Sequence, residues 1–414
     1  MKIKQLTAYE IFNSRGLPTI ECEIILENNK RVQASVPSGA STGSQEVLER
    51  CDGDSRLFGK GVQKAVDYIN EEIAPLFINK EINALAMDSK LMDLDTTPLK
   101  EKIGGNTTLA VSIALFKAQA ASEDIELFQL IQSISGTKTA QMPIPLFNVI
   151  NGGAHANNSI EVQEFMIIPQ ESSFKKNMES GVTFFHFLKK ILDNQKQLTT
   201  VGDEGGFAPM LTNIDSVLDL FQKTIALLPS FSYKIGMDVA ATELYDKKTN
   251  TYQWDQQTLT AEELIHIYAD LIKRYPIILI EDGLAEYDES GWQKMTLELG
   301  SKISIVGDDI FTTSPMRIRK GILRKISNAV LIKPNQIGTV SQTLAAIDIC
   351  KHKNLKFVIS HRSGETNDTF ISDLAVGTAA DYIKAGAPSR GERIAKYNRL
   401  LAIERIVSKS EHNK

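Results

Sequence analysis

Residues 329–361 read AVLIKPNQIGTVSQTLAAIDICKHKNLKFVISH, and this stretch decides the fold. One apolar run ends at Lys333 and another ends at His361, while Ser341–Lys351 between them has the length of a helix. Both runs are short, rich in β-branched residues and without alternation, which indicates strands covered on both faces. The stretch therefore predicts a strand–helix–strand unit with a basic residue where each strand ends.

The same unit recurs along the chain, with a charged residue after each apolar run. These residues are Asp238, Glu281, Asp308, Lys333, His361 and Lys384. From Glu281 onward the steps are 27, 25, 28 and 23 residues, about one strand plus one helix each time. This rhythm predicts an α/β fold with a (β/α)8-type barrel, whose active sites lie at the C-terminal strand ends. Three acidic and then three basic residues in register predict a single site for a cation with an anion beside it.

Composition limits the classes of function. The 414 residues are 42% hydrophobic, enough for a large core in two or three domains, and the net charge of −5 provides no basic field for nucleic acid. The opening MKIKQLTAYE lacks the apolar core of a signal peptide, and no run reaches the roughly 18 apolar residues of a membrane span. Three cysteines, Cys22, Cys51 and Cys350, are not spaced as ligands, so we expect reduced thiols in a cytoplasmic protein.

The chain divides into two predicted domains. Residues 1–35 alternate apolar and polar side chains around Asn28–Lys30, which predicts a β-meander, and residues 61–136 have helical periodicity. We therefore expect an α+β N-terminal capping domain over 1–136. The two prolines of Gly136–Pro145 indicate a hinge, and 137–414 would form the barrel, with an irregular start before the βα rhythm.

Several residues are candidates for chemistry, each with a structural alternative. Asp238, Glu281 and Asp308 would repel one another without a cation, and oxygen ligands without clustered His or Cys favour Mg²⁺. The alternative is three separate helix N-caps, and Asp309 is taken as a cap without a ligand role. Lys333 at a barrel mouth, near other cations, is a candidate general base with a depressed pKa, or else part of a structural salt bridge.

Other candidates lie in loops and at strand ends. Arg362 and Ser363 suit a phosphate, or cap the next helix. Lys384 suits a substrate carboxylate. The run Ser38–Gly43 is a surface loop or a mobile lid over an anion or metal. Glu164 and Glu204 are candidate acids, since one carboxyl group of a close pair can stay protonated. His155, in a glycine-rich loop, is a further candidate.

Eight motifs in this order resemble those of the enolase family, over nearly the whole chain from Tyr9 to about Glu404. The motifs are Ser38–Gly43 (SGASTG), 151–156 (NGGAHA), 163–167 (QEFMI), 202–209 (GDEGGFAP), 280–284 (IEDGL), 307–309 (GDD), 331–339 (LIKPNQIGT) and 360–366 (SHRSGET). Any one motif is weak, whereas all of them together are specific.

The resemblance implies a glycolytic lyase that interconverts 2-phosphoglycerate and phosphoenolpyruvate, with two Mg²⁺ ions per active site and a barrel that starts ββαα. It implies that Glu204 and Lys333 are catalytic, as acid and base. The implied metal ligands are Asp238, Glu281, Asp308 and, through its closing loop, Ser41. The implied substrate-binding residues are Ser41, His155, Gln163, Glu164, Glu281, Asp308, His361, Arg362, Ser363 and Lys384. A cytoplasmic homodimer is implied as well, with an octamer, or an additional pool at the cell surface or secreted, as alternatives.

Three stretches depart from the family pattern: Asn13 and Leu17 in the N-terminal motif, Gly105 and Thr107 in a helical segment, and Asn367 after Thr366. None removes a chemical group assigned above, although Asn13 and Leu17 bear on N-terminal packing and dimer contacts. Two alternatives to the lyase therefore stay open. One is a paralogue acting on a related phosphonate or phosphorylated acid, and the other is a binding or scaffold protein, for which we would expect erosion at Lys333 or the carboxylates.

Overall fold

A computed structural model describes residues 1–39, 43–153, 156, 158 and 160–412. The chain opens with three antiparallel strands in the order β1-β2-β3: β1 Ile3–Phe12, β2 Pro18–Leu26 and β3 Arg31–Ser35. Alternation along β2 places Ile20, Cys22 and Ile24 on one face, and all three are buried. The predicted meander is confirmed.

Five helices follow this sheet. They are α1 Gln63–Tyr68, α2 Ala74–Phe77, α3 Ala84–Leu94, α4 Gly105–Ser122 and α5 Leu127–Ile134, with a wider helical turn at Ile69–Ile73 between the first two. The small apolar residues of α4 let it pack against β2 and β3 on one side and α3 and α5 on others, so most of it is buried. The predicted boundary after residue 136 falls in the connection between α5 and the next strand.

Eight strands then close into a barrel, as the spacing of the charged residues predicted. In chain order they are β4 Ile144–Asn151, β5 Glu164–Pro169, β6 Tyr233–Asp238, β10 Ile277–Glu281, β11 Ser304–Gly307, β12 Ala329–Ile332, β13 Lys356–Ser360 and β14 Tyr382–Lys384. A small antiparallel sheet interrupts the barrel after β6: β7 Tyr245–Asp246, β8 Thr251–Trp254 and β9 Gln257–Leu259. The barrel helices are α6 Phe174–Asn194, α7 Ile214–Ala226, α8 Ala261–Arg274, α9 Glu289–Leu299, α10 Pro315–Arg324, α11 Val340–His352, α12 Phe370–Thr378 and α13 Gly391–His412.

The start of the barrel is irregular in a way that shapes the site. The order β4-β5-α6-α7 is the ββαα start, and β5 runs antiparallel to both β4 and β6 while the other pairs are parallel. Because β5 is reversed, its first residue, Glu164, lies at the end where the parallel strands finish. Register pairs Glu164 with Asp238, and Asp238 with Glu281. Three carboxylates therefore meet at one end of the barrel, which we call the barrel mouth.

The interior of the barrel is filled with apolar side chains, so the mouth has a closed floor. This layer comprises Leu146, Met166, Ile168, Leu279, Val306, Ala329, Leu331, Val358 and Tyr382. Side chains from neighbouring strands fill such a barrel in layers, which makes it a packed core rather than a pore. The charged residues that end the strands therefore lie above an apolar layer. Among the described residues, no helix is long and apolar enough to cross a membrane.

Two N-terminal segments, around Ser14 and Ser38, form hydrogen bonds with the loop that follows β13. The Ser14 N–H donates to the carbonyl oxygen of Glu365 at 2.7 Å, and Ser38 and Gly364 exchange backbone hydrogen bonds of 2.8 and 3.0 Å. The departure at Asn13 is accommodated, since its side-chain oxygen accepts from the N–H groups of Arg15 and Leu17 at 2.9 and 3.2 Å. Asparagine supplies there the acceptor that an Asx-type turn requires.

Candidate active site

One cavity at the barrel mouth brings most of the predicted residues together. Its predicted lining residues are Gln163, Glu164, Glu204, Asp238, Asp308, Lys333, His361, Arg362, Ser363 and Lys384. Glu281 lies directly behind them and contacts Lys384. Ser41 and His155 lie outside the described residues. The charged residues that end separate strands therefore do form a single site.

Lys384 is the centre of the acidic side of this site. Its Nζ donates to Asp238 Oδ2 at 2.8 Å and to both Glu281 oxygens at 3.0 Å, and it lies 3.0 Å from Glu164 Oε2. Burial opposes the charge of the ammonium, but these three carboxylates raise the pKa of Lys384 well above its usual range. Burial and the charge of Asp238 in turn raise the pKa of Glu281 well above its ordinary value. The predicted contact between Lys384 and a substrate carboxylate stays a prediction.

The donor set suits a hard divalent cation. Asp238, Glu281 and Asp308 offer only oxygen atoms and are 5%, 1% and 6% exposed. Among the described residues, seven carboxyl groups and three basic side chains line the cavity: Glu164, Glu204, Asp238, Glu243, Asp282, Asp308 and Asp309 with Lys333, Arg362 and Lys384. Carboxyl groups in such excess can be charged together only where a further cation compensates them, and carboxylate oxygens are the donors that Mg²⁺ prefers.

A second group of carboxylates is closer together than the predicted ligand set. Oxygens of Asp282, Asp308 and Asp309 lie within 4.8 Å of one another. Asp282 is already engaged, because its oxygens accept from the N–H groups of Asp308 and Asp309 at 2.8 and 3.1 Å. We infer that Asp282 holds the loop that presents Asp308. Asp309, which the sequence placed as a cap, lines the cavity, and burial next to Asp308 raises its pKa to about 8.

Lys333 pairs with Asp308 across the cavity floor. The Lys333 ammonium contacts Asp308 Oδ2, and Gln336 donates to the other oxygen of Asp308 at 2.8 Å. Burial disfavours the ammonium, but Asp308 outweighs it and raises the pKa of Lys333. A depressed pKa was predicted for this lysine. The structure differs because Asp308 contacts the ammonium directly and outweighs the opposing effect of Arg362 and Lys384.

The two predicted acids face a buried histidine and an amide. Asn148 Nδ2 donates to Glu204 Oε2 at 3.0 Å, and His361 Nε2 lies 3.4 Å from the same oxygen. Burial and the charge of Glu204 raise the pKa of Glu164 well above its usual range, although Lys384 acts in the opposite direction. The surroundings therefore favour the protonated form of Glu164, as expected for one member of a coupled pair.

Arg362 is held by residues from both parts of the chain. Its Nη1 donates to Glu46 Oε2 at 2.7 Å and to Asn335 Oδ1 at 2.9 Å, and its Nη2 donates to Glu46 Oε1 at 3.3 Å. Glu46 also accepts from the Gly43 N–H at 3.0 Å, so it joins the end of the predicted lid to the predicted phosphate ligand. This fixed guanidinium is presented to the cavity together with Ser363.

Four residues that orient the predicted ones were not predicted from the sequence. These are Glu46 for Arg362, Gln336 for Asp308, Asn148 for Glu204 and Arg393 for His361. A signal existed for Asn148, because it is a polar residue inside an otherwise apolar strand. Gln336 lies in the 331–339 motif, but it is uncharged and was therefore not chosen as a candidate. Glu46 and Arg393 look like ordinary surface charges of loop and helix, and only the fold buries them.

Comparison with known proteins gives a consistent result. Residues 3–131 match the family model described as "Enolase, N-terminal domain", and residues 139–413 match "Enolase, C-terminal TIM barrel domain". A protein named enolase from Natranaerobius thermophilus is 46% identical over 406 residues, covering 97% of this chain and 94% of that relative. Enolases from Mycobacterium leprae and Elusimicrobium minutum are 44% and 45% identical, covering 97% and 99% of this chain and 94% and 97% of the relatives.

Proposed function

Because this chain belongs to the enolase family, we propose that its barrel mouth reversibly dehydrates 2-phosphoglycerate to phosphoenolpyruvate in glycolysis and gluconeogenesis. The chain would thus be a carbon–oxygen lyase, a phosphopyruvate hydratase. The observation that carries the proposal is the pairing of a basic and an acidic group around one cavity. Lys333 follows β12 and Glu204 lies beside β4, three strands away around the eight-stranded ring.

The reaction needs a base that removes the proton at C2. That proton is a very weak acid, because its removal adds a second negative charge to the substrate carboxylate. In the proposed mechanism Lys333 takes the proton, and Lys384 supplies positive charge close to the carboxylate where the dianion forms. To accept the proton, Lys333 must be a neutral amine, so in the proposed mechanism it has lost its contact with Asp308, which favours the ammonium form. Lys384 stays charged, and its buried position keeps that charge effective, since little water is present to screen it.

The reaction also needs an acid, because hydroxide is a poor leaving group. We propose that Glu204 protonates the C3 hydroxyl as it departs, and that the protonated Glu164 beside it serves as the proton store. Arg362 and Ser363 would bind the phosphate, with Gln163 and His361 as further contacts at the same wall. In reverse, the Glu204 carboxylate would accept a proton from the attacking water.

Two Mg²⁺ ions are part of the proposal. Asp238, Glu281 and Asp308 would hold the first ion. Ser41, which lies outside the described residues, would help to hold the second. When bound, Mg²⁺ would offset the charge of the substrate dianion and compete with Lys333 for Asp308. His155 keeps its proposed place near the substrate on the basis of the family motif alone.

Exchange of the C2 hydrogen tests the two roles separately. In deuterated water, wild-type protein with Mg²⁺ should exchange this hydrogen and form the enol product. The Glu204→Gln variant should retain exchange while losing the product, because the base remains and the acid does not. The Lys333→Ala variant should lose both. Exchange by folded Lys333→Ala at the wild-type rate would refute the assignment of the base.

Assembly and location complete the proposal. We propose a homodimer, supported by Tyr9 and Phe12, which are 45% and 59% exposed on the edge strand β1. Light scattering would distinguish this dimer from a monomer or an octamer. The three free cysteines support a reducing compartment, and we propose the cytoplasm.

A further inference from the structure

A fully buried arginine of the last helix reaches the site from behind. Arg393 lies in α13 and is 0% exposed, and the proposed reaction gives it no step of its own. Its Nη1 donates to the carbonyl oxygen of Arg362 at 2.6 Å, and its Nη2 donates to the carbonyl oxygens of Ser363 at 2.6 Å and Asp203 at 3.0 Å. The guanidinium therefore ties the loop after β13 to the loop that carries Glu204.

The same guanidinium decides which ring nitrogen of His361 carries the proton. Arg393 Nη1 lies 2.6 Å from His361 Nδ1. A guanidinium N–H can only donate, so Nδ1 must be the acceptor and must lack a proton. The single proton of the neutral ring is therefore on Nε2, which lies 3.4 Å from Glu204 Oε2 and does not yet make a hydrogen bond to it. The ring thus presents a donor to the carboxyl group that is proposed to lose a proton.

We propose that Arg393 is a positioning residue that fixes His361 as the neutral Nε2–H tautomer, so that this ring acts as a hydrogen-bond donor to Glu204. The catalytic meaning of this inference rests on the proposed function of Glu204. When Glu204 gives its proton to the departing hydroxyl, its new carboxylate has two donors waiting, His361 Nε2–H and the amide of Asn148. Fixed donors of this kind stabilise charge without reorganisation.

The charges around His361 agree with a ring that stays neutral. Burial lowers the pKa of His361 to about 4, and Arg393 acts in the same direction. Glu204 and Glu365 face the ring as well and favour its protonated form, but they do not outweigh burial and Arg393. A second proton would have to enter at Nδ1, which is the atom that Arg393 covers. Burial therefore keeps the ring neutral with the help of Arg393, and the contact with Arg393 sets the tautomer.

The tautomer can be measured in the intact protein without any assay of turnover. Long-range ¹H–¹⁵N spectra of histidine-labelled protein contain six rings, and the His361→Gln variant identifies the one of interest. We expect an unprotonated Nδ1 and a protonated Nε2 for His361, unchanged from neutral pH to pH of about 5, well below the usual histidine pKa of about 6.5. A ring protonated on Nδ1, or one that titrates near the usual value, would overturn the proposal.

Two arginines of α13 provide the variant and its matched control. Arg399 pairs with Asp373 and Glu126, away from the mouth, whereas Arg393 contacts His361. Arg393→Met should lower kcat by roughly 10- to 100-fold, the usual effect of removing a group that orients a functional histidine, with a smaller change in KM. In the pH profile of kcat, the fall in activity at low pH should begin at a higher pH in this variant, because His361 loses the cation that opposes its protonation.

The conservative variant and the control separate positioning from folding. Arg393→Lys should recover part of kcat and the Nε2–H tautomer, because an ammonium can still donate to Nδ1. Arg399→Met should lose stability while keeping the wild-type kcat and the wild-type fall in activity at low pH. Equal loss of kcat in both Met variants, or wild-type kcat in Arg393→Met, would overturn the inference. If wild-type protein fails to dehydrate 2-phosphoglycerate, the proposed function falls, and the spectra still decide the state of His361.

Discussion

Lys384 contacts three buried carboxylates at the barrel mouth, so its removal strongly perturbs the charge balance there. Its ammonium faces Asp238, Glu281 and Glu164 at 2.8 to 3.0 Å, and all four groups are buried. The variant Lys384→Met keeps the length of the side chain and removes only its charge and its donors. We expect the metal-free variant to be strongly destabilised, because three carboxylates then share a buried space without this cation.

The size of the effect follows from the burial of the pair. Removing one partner from a buried ion pair costs about 3–5 kcal/mol, because the remaining charge is left without compensation. The carboxyl groups can relieve part of this cost by taking up protons, so the loss should be largest at neutral pH and should shrink on acidification. A divalent cation offers the alternative compensation. At a free concentration of about 100 times its Kd, such an ion stabilises the folded state by about 2.7 kcal/mol.

Urea unfolding followed by circular dichroism, with chelator and then with Mg²⁺, measures both effects. Lys396→Met is the matched control, since Lys396 is equally buried but pairs with Glu365 and two carbonyl oxygens instead of the proposed metal ligands. We expect both variants to lose stability in chelator, and Mg²⁺ to stabilise Lys384→Met more than Lys396→Met or wild type. A loss below about 1 kcal/mol for Lys384→Met, or equal Mg²⁺ effects in the two variants, would refute the reasoning.

Three further predictions concern single residues. Lys333→Ala should lower kcat by at least roughly 10²- to 10⁴-fold, the usual contribution of a general base, while its melting temperature still rises with Mg²⁺; normal turnover would contradict this. The pKa of His361 is lower in the folded than in the unfolded protein, so the unfolded state binds the proton first as pH falls. The free energy of unfolding should therefore decrease between pH of about 6.5 and about 4, in total by roughly 3 kcal/mol. Unfolding curves of His361→Gln against wild type should show that difference appear only in this window. Gly181→Ala would place a methyl group 2.3 Å from the Phe147 ring and should cost about 1–3 kcal/mol in urea unfolding, whereas Gly391→Ala, with nothing within 4 Å, should not.

The barrel was predictable because most of its parallel strands leave a strong local signal. The run before Lys333 is fully apolar and the run before His361 is apolar except for Ser360, since most of β12 and β13 is buried, and a charged or polar residue follows each run at the mouth. Neighbouring parallel strands bring such residues together automatically. The reversed β5 was less visible, because its polar start at Glu164 continues into the same apolar pattern as that of a parallel strand.

Contacts between distant parts of the chain were not predictable in the same way. Glu46 meets Arg362 across 316 residues, and Arg393 meets His361 from the last helix, with no local pattern that marks either partner. The state of Lys333 was also missed. Its pKa depends on Asp308 lying nearer than any cation does, which is a matter of side-chain geometry rather than of residue type.

The central claim is that this barrel mouth dehydrates 2-phosphoglycerate, and ultraviolet absorbance tests it most directly. The enol product absorbs and the substrate does not, so purified protein is mixed with 2-phosphoglycerate, first with Mg²⁺ and then with chelator. We predict a rapid rise in absorbance that requires Mg²⁺ and is lost in Lys333→Ala. A flat trace from folded protein in the presence of Mg²⁺ would contradict the account and favour an analogue substrate or a binding role.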